Sequence, residues 1–273
     1  MSSLELSDLH EADVPQNVAL ARSVGWKDVE SEWRVLHRAG HVRGVRHEGQ
    51  VVAQGVLGDY GNCASLAKMV VAAAYQGRGL GGRMLDGFLK LAEARHLPVG
   101  LCATEQGRPL YASRGFQVSG EIAVLFGEVR AGAPVPATVV TLADAERAVE
   151  LDARLSGCDR SRVLRARFAE ANARLELKTE PGFALALDHG DHTLVGPIVA
   201  ESEAGARALL LGVARAARGK LRVDVPLSQQ GFRSWLVEQG LAEMGHRVEM
   251  AWGAQSMPWQ APARFVLASQ AWG

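Results

Sequence analysis

The sequence predicts an α/β protein in which a mostly antiparallel mixed sheet is flanked by helices, with two such units in tandem. Apolar residues recur at helical spacing in some segments and follow strand patterns in others. A Gly/Pro/Ala stretch at residues 131–137 divides the 273-residue chain almost in half. The order of predicted elements in the first half then repeats, more faintly, in the second. We therefore expect domains over residues 1–130 and 138–273, joined by a linker over 131–137.

The first half predicts two helices, then an antiparallel meander of three strands with turns at Glu48-Gly49 and Gly61-Asn62. Asp28 is the expected N-cap of the second helix, and Gly40 follows its last residue. An amphipathic helix begins after Gly79, and a strand, a short helix and a strand complete the half. The predicted helices are 17–24, 28–39, from 79 onward, and 108–114; the predicted strands are 42–46, 51–57, 64–72, 98–103 and 121–128.

The second half predicts the same layout with weaker signals. Its helices are expected at 145–155, 162–175, 203–218 and 230–239, and its strands at 182–187, 192–199, 221–225, 247–252 and 264–268. Five arginines lie between residues 160 and 174, where we expect a solvated helix face. A face that binds an anionic substrate or a nucleic acid is the alternative.

Composition excludes several classes of protein. Thirty Lys and Arg balance thirty Asp and Glu, so no overall charge favours nucleic acid or an anionic membrane, and neither partner is expected. No apolar run approaches the roughly 20 residues of a membrane-spanning helix, and the N-terminus is acidic where a signal peptide is basic. Three widely spaced cysteines without a CxxC predict neither a disulfide framework nor a metal site. These features predict a cytoplasmic protein without a metal; they leave its oligomeric state open.

The strongest chemical signal is the loop Gln76-Gly77-Arg78-Gly79-Leu80-Gly81-Gly82, which lies between a strand and an amphipathic helix. A helix N-terminus offers unpaired N–H groups and a partial positive charge, and glycines let a phosphate reach them. The loop therefore predicts a pyrophosphate-binding site. Glycines that only make a tight turn are the structural alternative.

Two families use such a loop. Gly77, Gly79 and Gly82 satisfy the GxGxxG pattern of dinucleotide-binding proteins, but that pattern alone is weak. Its usual context is the first strand of a parallel unit, with an acidic residue about 20 positions later. Here a predicted antiparallel meander precedes the loop, and the next strand ends near Glu105. A nicotinamide-dependent oxidoreductase is therefore the disfavoured third hypothesis.

The pattern Gln76-x-x-Gly79-x-Gly81 after a strand resembles the acyl-CoA loop of the GNAT acetyltransferase superfamily. The segment Leu110-Tyr111-Ala-Ser-Arg-Gly115-Phe116 is similar to a second motif of that superfamily, LY-x-x-x-GF, in the expected order and at the expected spacing. Together the motifs cover about residues 64–128, and the meander and leading helices extend the resemblance to residues 4–130.

The resemblance implies a function for each matching residue. Met69, Val70 and Val71 would lie on the splayed strand that binds the pantetheine of acetyl-CoA, and Gln76, Gly77, Arg78, Gly79, Leu80, Gly81 and Gly82 would bind its pyrophosphate. Tyr111 would lie near the coenzyme A sulfur as the catalytic residue. Acetyl-CoA would be the cosubstrate.

The chain departs from the family pattern at two places. Thr104-Glu105-Gln106 stands where members often have an Asn, and Lys68 lies near the position where some members carry a catalytic Glu. No general base is therefore assigned by motif, and Glu30, Glu32, His37 and Glu105 remain candidates.

The second half resembles the degenerate acetyltransferase-like domain that follows some bacterial GNAT domains. Where the glycine loop would be, it has Pro197, Glu201 and Glu203. Carboxylates at a helix N-terminus stabilise the helix but repel a phosphate, so we expect no coenzyme A there. Support for the first domain and a wall of the acceptor pocket are its expected functions.

Taken together, the sequence predicts an N-acetyltransferase that transfers an acetyl group directly from acetyl-CoA to the amine of a small molecule or peptide. A non-catalytic acyl-CoA-binding regulator is the alternative. Six tryptophans could line the acceptor site, but packing is their expected function: Trp26, Trp33, Trp235, Trp252, Trp259 and Trp272.

Overall fold

The computed structural model describes residues 5–130, 134–217 and 219–272, which form one mixed sheet of thirteen strands with helices on both faces. The predicted fold class is confirmed. Residues 131–133 of the expected linker and Arg218, the expected end of a helix, lie outside the described residues. All three cysteines are free thiols.

The described residues of the first half, from residue 5 onward, form six strands and four helices. They are β1 (Leu6–Asp8), α1 (Val14–Ser23), α2 (Glu30–Ala39), β2 (Gly40–His47), β3 (Gln50–Asp59), β4 (Ala64–Val71), α3 (Leu80–Glu93), β5 (Val99–Ala103), α4 (Arg108–Ala112) and β6 (Gln117–Gly127).

The second half contains seven strands and four helices in the described ranges. They are β7 (Val139–Thr141), α5 (Ala145–Leu155), α6 (Ser161–Glu170), β8 (Ala173–Leu177), β9 (Gly182–Asp188), β10 (Thr193–Ala200), α7 (Glu203–Ala217), β11 (Leu221–Pro226), α8 (Gln230–Glu238), β12 (Ala242–Trp252) and β13 (Arg264–Val266).

Three sequence predictions were wrong in detail. The helix expected over 162–175 ends at Glu170, because Ala173–Leu177 pairs with β9 as a strand. The N-cap of α2 is Val29 rather than Asp28, whose carboxylate accepts a hydrogen bond from the indole of Trp33 instead. The short strands β1 and β7 were not predicted, because three residues are too few to establish a period.

The two halves exchange strands within the sheet. β12 of the second half lies between β5 and β6 of the first, and β6 lies between β12 and β11. Both neighbours of β6 therefore come from the second half: Leu125 pairs with Val223 on one side and with Glu243 on the other. The backbone hydrogen bonds of each half thus depend on the presence of the other.

Three apolar cores hold the layers together. One lies between α3 and the first-half sheet and contains Leu85 and Phe88. A second lies between α7 and the second-half sheet and contains Leu209 and Val213. The third is shared, because α2 packs on α6 and their residues Trp33 and Leu164 belong to one buried cluster. Among the described residues, no helix is long and apolar enough to cross a bilayer.

The strand exchange predicts that residues 1–130 do not fold alone. Without the second half, β6 loses both neighbours and β5 loses one, so unpaired strand edges and apolar surface are exposed. We expect this fragment to aggregate, and we expect co-expression with residues 131–273 to give a soluble complex on size-exclusion chromatography. A monomeric fragment with a cooperative thermal transition would contradict the prediction.

Candidate functional site

The glycine loop reaches the N-terminus of α3, as the sequence predicts. Gly79 is the N-cap and has φ of +74°, and Gly77 has φ of +73°. The first N–H groups of α3, those of Leu80, Gly81 and Gly82, have no preceding turn to bond to. A Cβ at Gly77 or Gly79 would meet nothing within 4 Å, so open space lies beside the loop. The loop can therefore accept an anion at its backbone.

Side chains fix the loop and add positive charge. Gln76 donates a hydrogen bond from its side-chain amide to the Val71 carbonyl (2.9 Å), which ties the loop back to β4. The guanidinium of Arg78 lies over the Tyr75 ring at 5.3 Å, and the Tyr75 hydroxyl contacts His47 Nδ1 at 2.8 Å. Arg78 is exposed, so its charge is available to an anion on the loop.

A gap opens in the sheet beside this loop. β4 and β5 are parallel and pair only at Ala64 with Val99 and Ser65 with Gly100, and then they separate. The predicted binding strand, Met69 to Val71, therefore has β3 on one side and the gap on the other. β5 stays in the sheet because its other edge pairs with β12 along its length.

A β-bulge turns β4 at the start of the gap. Ala67 pairs with Val56 and Val70 with Gln54, so Lys68 and Met69 lie opposite the single residue Gly55. Lys68 has φ of +54°, an uncommon conformation for a residue with a side chain. A Cβ at Gly55 would lie 2.6 Å from Met69 Sδ and 2.7 Å from Phe88 Cε2, so any other residue there would force these side chains to shift.

Tyr111 lies on α4, which packs against the start of α3. Leu110 would contact a Cβ at Gly81, and Arg114 forms an ion pair with Asp86 of α3 at 3.0 Å. The Tyr111 ring is buried against Phe116 at 5.8 Å. Burial and the nearby Cys102 thiol raise the pKa of Tyr111 to about 12. Its hydroxyl is therefore protonated near neutral pH and can act as a hydrogen-bond donor.

Lys68 joins two carboxylates on the opposite side of β4 from α3. Its ammonium lies 2.9 Å from Asp28 Oδ1 and 3.3 Å from Glu32 Oε2, and it lies 5.6 Å from the centre of the Trp26 ring. Both carboxylates are buried. Burial alone would raise the pKa of Glu32, but Lys68 and the more distant His189 and Arg167 lower it to about 2.

The other candidate bases lie in different surroundings. Glu30 is exposed and pairs with Arg34 at 3.1 Å. His37 contacts Asn17 Oδ1 at 2.8 Å, and its burial lowers its pKa. Glu105 is exposed between β5 and α4. Of the three carboxylates and one imidazole considered from the sequence, Glu32 is the one that forms an ion pair with a residue of β4 in the described parts of the chain.

The corresponding gap in the second half is closed by the chain itself. β10 and β11 are parallel and pair only from Thr193 to Val195 before they separate. β13 fills the space: it pairs with β10, and Leu267 then donates a backbone hydrogen bond to the Asp224 carbonyl of β11 at 3.0 Å. A side chain at Gly196 would collide with the Leu267 carbonyl. This half therefore presents no open gap at the equivalent position.

Sequence reasoning did not predict the buried side chains of four polar residues: Asp28, Arg167, His189 and His192. The expectation of a solvated arginine face was wrong for Arg160 and Arg167, which are buried, although Arg165 is exposed. Arg167 lies on the side of α6 that carries Val163 and Leu164, since 3.6-residue periodicity places it with those apolar residues. This helical spacing is the feature of the sequence that could have indicated that Arg167 is buried.

Comparison with known proteins gives a consistent assignment. Residues 38–118 and residues 148–264 each match an acetyltransferase (GNAT) domain family. The uncharacterised N-acetyltransferase YitH of Bacillus subtilis is 26% identical over 246 residues, which cover 86% of this chain and 87% of YitH.

Solved structures show the same fold. A protein of Pyrococcus horikoshii assigned as an acetyltransferase superposes with a TM-score of 0.84 at 19% identity, covering 100% of this chain and 97% of that one. A tandem GNAT protein from the clavulanic acid biosynthesis pathway superposes with a TM-score of 0.62 at 16% identity, covering 93% and 99%.

The buried charges beside β4 predict a large stability loss for Lys68→Met. This substitution leaves Asp28 and Glu32 buried and facing each other without a cation, which costs about 3–5 kcal/mol of unfolding free energy. Urea denaturation measures the loss. As a control, Arg165→Met breaks an exposed pair with Glu146 and should lower the free energy of unfolding far less than Lys68→Met does. Equal losses in the two variants would contradict this interpretation of the cluster.

Proposed function

Because this chain belongs to the GNAT acetyltransferase superfamily and carries two such domains in tandem, we propose that its first half transfers an acetyl group from acetyl-CoA to an amine. The second half supports the site and binds no cosubstrate of its own. The proposed acceptor is a small molecule or a peptide, and the proposed route is direct attack of the amine on the thioester.

The contrast between the two sheet gaps supports this proposal most strongly. The gap between β4 and β5 is open and ends beside the free N–H groups of α3. The equivalent gap between β10 and β11 contains β13, and Glu203 stands in the first turn of α7. A carboxylate there opposes an anion, whereas the exposed Arg78 favours one. We therefore expect each chain to bind one molecule of acetyl-CoA.

The residues around the open gap suit the parts of acetyl-CoA. The N–H groups at the start of α3 would bind the pyrophosphate, and the free edge of β4 from Met69 to Val71 would bind the pantetheine amides. The bound thioester would supply the activated acetyl group. Gly77 and Gly79 leave the space that the phosphates need.

Tyr111 is proposed to donate a hydrogen bond to the leaving sulfur. With its pKa raised to about 12, full proton transfer to a thiolate of pKa about 8.5 would be uphill by roughly 5 kcal/mol. Hydrogen-bond donation needs no such transfer and still stabilises the charge that develops on sulfur. The phenol therefore acts as a donor rather than as a general acid.

The acceptor amine must lose a proton before or during attack. A free alkylamine of pKa about 10.4 costs roughly 4.6 kcal/mol to deprotonate at pH 7. Glu32, with a pKa of about 2, stays ionised near neutral pH and attracts a cationic amine more readily than it takes its proton. The general base is left unassigned among the remaining candidates.

A thiol-release assay with acetyl-CoA and a broad panel of amines tests the function, with Gly81→Glu as the informative variant. Gly81 lies in the first turn of α3, where a carboxylate favours the helix but repels a phosphate. We expect the wild type to release thiol only when an accepted amine is present, and we expect Gly81→Glu to lose coenzyme A affinity by calorimetry.

The matched control is Gly81→Ala. A Cβ at this position makes ordinary contacts with Leu110 at 3.5 Å and Val71 at 3.9 Å, so the alanine variant should fold and bind normally. Unchanged affinity in folded Gly81→Glu would exclude the loop as the phosphate site. Coenzyme A binding without turnover of any amine would favour the non-catalytic regulator.

Tyr111→Phe keeps the ring and removes the hydroxyl. If the hydroxyl acts on the developing thiolate, kcat and kcat/KM should fall together by about 10- to 100-fold, because a hydrogen bond to a charged group contributes about 1.5–3 kcal/mol. Coenzyme A affinity should barely change, and steady-state kinetics with calorimetry measures both.

Tyr60→Phe is the control for hydroxyl loss elsewhere. The Tyr60 hydroxyl donates to the Trp272 carbonyl at 2.9 Å, so its removal should lower stability and leave kcat nearly unchanged. Wild-type kcat in Tyr111→Phe, with chemistry shown to limit the rate, would remove Tyr111 from the mechanism.

A further inference from the structure

Arg167 is a buried cation with an unused donor. Its Nε and Nη2 donate to one acceptor, the Gly196 carbonyl, at 3.0 and 2.6 Å. Its Nη1 has no partner among the described residues, and the side chain is fully buried. Burial lowers the pKa of Arg167 to about 10. No carboxylate forms an ion pair with it in the described parts of the chain. Glu32 acts on its charge only from a longer distance, so the guanidinium lacks the direct partner that a buried charge normally has.

Two buried histidines near Arg167 also carry unused nitrogens. Nε2 of His189 and Nε2 of His192 have no hydrogen-bond partner within the described ranges, and the two rings lie 5.2 Å apart. His192 Nδ1 contacts Asp191 Oδ1 at 2.6 Å. Burial and the Arg167 charge help to lower the pKa of His189, to about 4. His189 is therefore neutral near neutral pH.

The two histidines connect Arg167 to the buried ion pairs of Lys68, where carboxylates outnumber cations. His189 Nε2 lies 4.0 Å from Glu32 Oε2, beyond hydrogen-bond distance. Glu32 shares a single ammonium, that of Lys68, with Asp28. Two carboxylates therefore share one lysine at ion-pair distance, while Arg167 has no carboxylate at ion-pair distance in the described residues and interacts with Glu32 only from further away. One negative charge is in excess at the β4 end and one positive charge at the Arg167 end.

This separation of charge matches a ligand that carries both signs. A carboxylate on the ligand would supply the acceptors that Arg167 Nη1 lacks, in the forked geometry that guanidinium groups favour. An amine on the same ligand would be drawn to Asp28 and Glu32. Lys68 adjoins Met69, the first residue of the proposed pantetheine-binding strand, so the carboxylates and the open gap are connected through β4.

Access to the cluster is covered by two loops with a weak connection. Lys27, before α2, and Asp191, in the β9–β10 turn, form an ion pair at 2.8 Å with side chains 74% and 54% exposed. Exposed pairs of this kind contribute little to stability, because water screens them. Asp28 lies on the first loop and His189 and His192 on or beside the second, so separation of the loops would expose the cluster.

We propose that the acceptor of this protein is an amino acid or a closely similar amine that bears a carboxylate, which binds Arg167 of the second half while its amine faces Glu32 and Asp28 of the first. The inference rests on the proposed acetyl transfer and specifies its substrate class. It assigns Arg167 to binding rather than to chemistry.

The experiment uses matched ligands on the full chain saturated with coenzyme A or supplied with acetyl-CoA. Each L-amino acid in a panel is compared with its decarboxylated amine and its carboxamide, by thermal shift, calorimetry and thiol release. We expect at least one amino acid to raise Tm and to exceed its decarboxylated partner in kcat/KM by about 10- to 100-fold. Arg167→Met and Arg167→Lys should reduce this ratio to within a few-fold.

Arg165→Met is the matched control, because Arg165 lies on the same helix but is exposed and paired with Glu146. It should keep the wild-type ratio. If Arg167→Met shows no cooperative unfolding transition and is therefore not folded, the test rests on Arg167→Lys and on the comparison of each amino acid with its decarboxylated amine in the wild type.

The outcomes separate the two proposals. Amines acetylated without preference for a carboxylate, or a preserved preference in a folded Arg167 variant, would overturn the inference and leave acetyl transfer intact. A Tm shift that requires the carboxylate and Arg167, with no acetylation of any amine, would support the binding site and overturn the function. The absence of any shift or turnover with carboxylate-bearing amines would overturn the inference.

Discussion

The pairing of β6 with β12 is the interaction on which the rest of the architecture depends. It places a second-half strand against β5, and β5 forms one wall of the open gap. Since β4 releases β5 after Ser65, that wall is held in the sheet from one side only. The second half therefore determines the position of the proposed cosubstrate site without contributing a residue to its glycine loop.

The bulge at Lys68 and Met69 links the gap to the buried charges. Two residues opposite Gly55 turn β4 away from β5, and the same turn directs Lys68 toward Asp28 and Glu32. A left-handed residue with a side chain costs about 1–3 kcal/mol, which neighbouring interactions must offset. The ion cluster and the packing of Met69 near Phe88 provide such interactions, so opening of the strands and placement of charge share one local cause.

Sequence reasoning worked best where the signal is local. The glycine loop, the amphipathic α3 and the position of Tyr111 on a short helix follow from spacing within about fifteen residues, and the structure places them together. Asp28 was wrongly predicted to be an N-cap, because an Asp just before a helix looks the same in the sequence whether it caps that helix or forms a buried ion pair. Its true environment is set by Lys68, which lies 40 positions away in sequence.

Long-range pairing could not be predicted from the sequence. The strand over β12 was expected, but nothing in its residues specifies β5 and β6 as neighbours rather than strands of its own half. Arg167 illustrates the same limit: helical periodicity places it on the buried face, whereas its charge argues for solvent. Which of the two prevails depends on α2 of the other half, which packs against α6.

β13 acts as a tethered occupant of the gap that it fills. Residues 253–263 connect it to β12, and a short tether of this kind holds its end at an effective concentration on the order of millimolar. A free molecule that competes for the same backbone groups would have to be present above that concentration, or it would have to bind those groups more tightly than β13 does. The second half thus completes its own sheet with its own chain, whereas the edge of β4 beside the open gap has no strand partner among the described residues. A ligand that joins the sheet there would stabilise both halves by mass action, because they share one sheet.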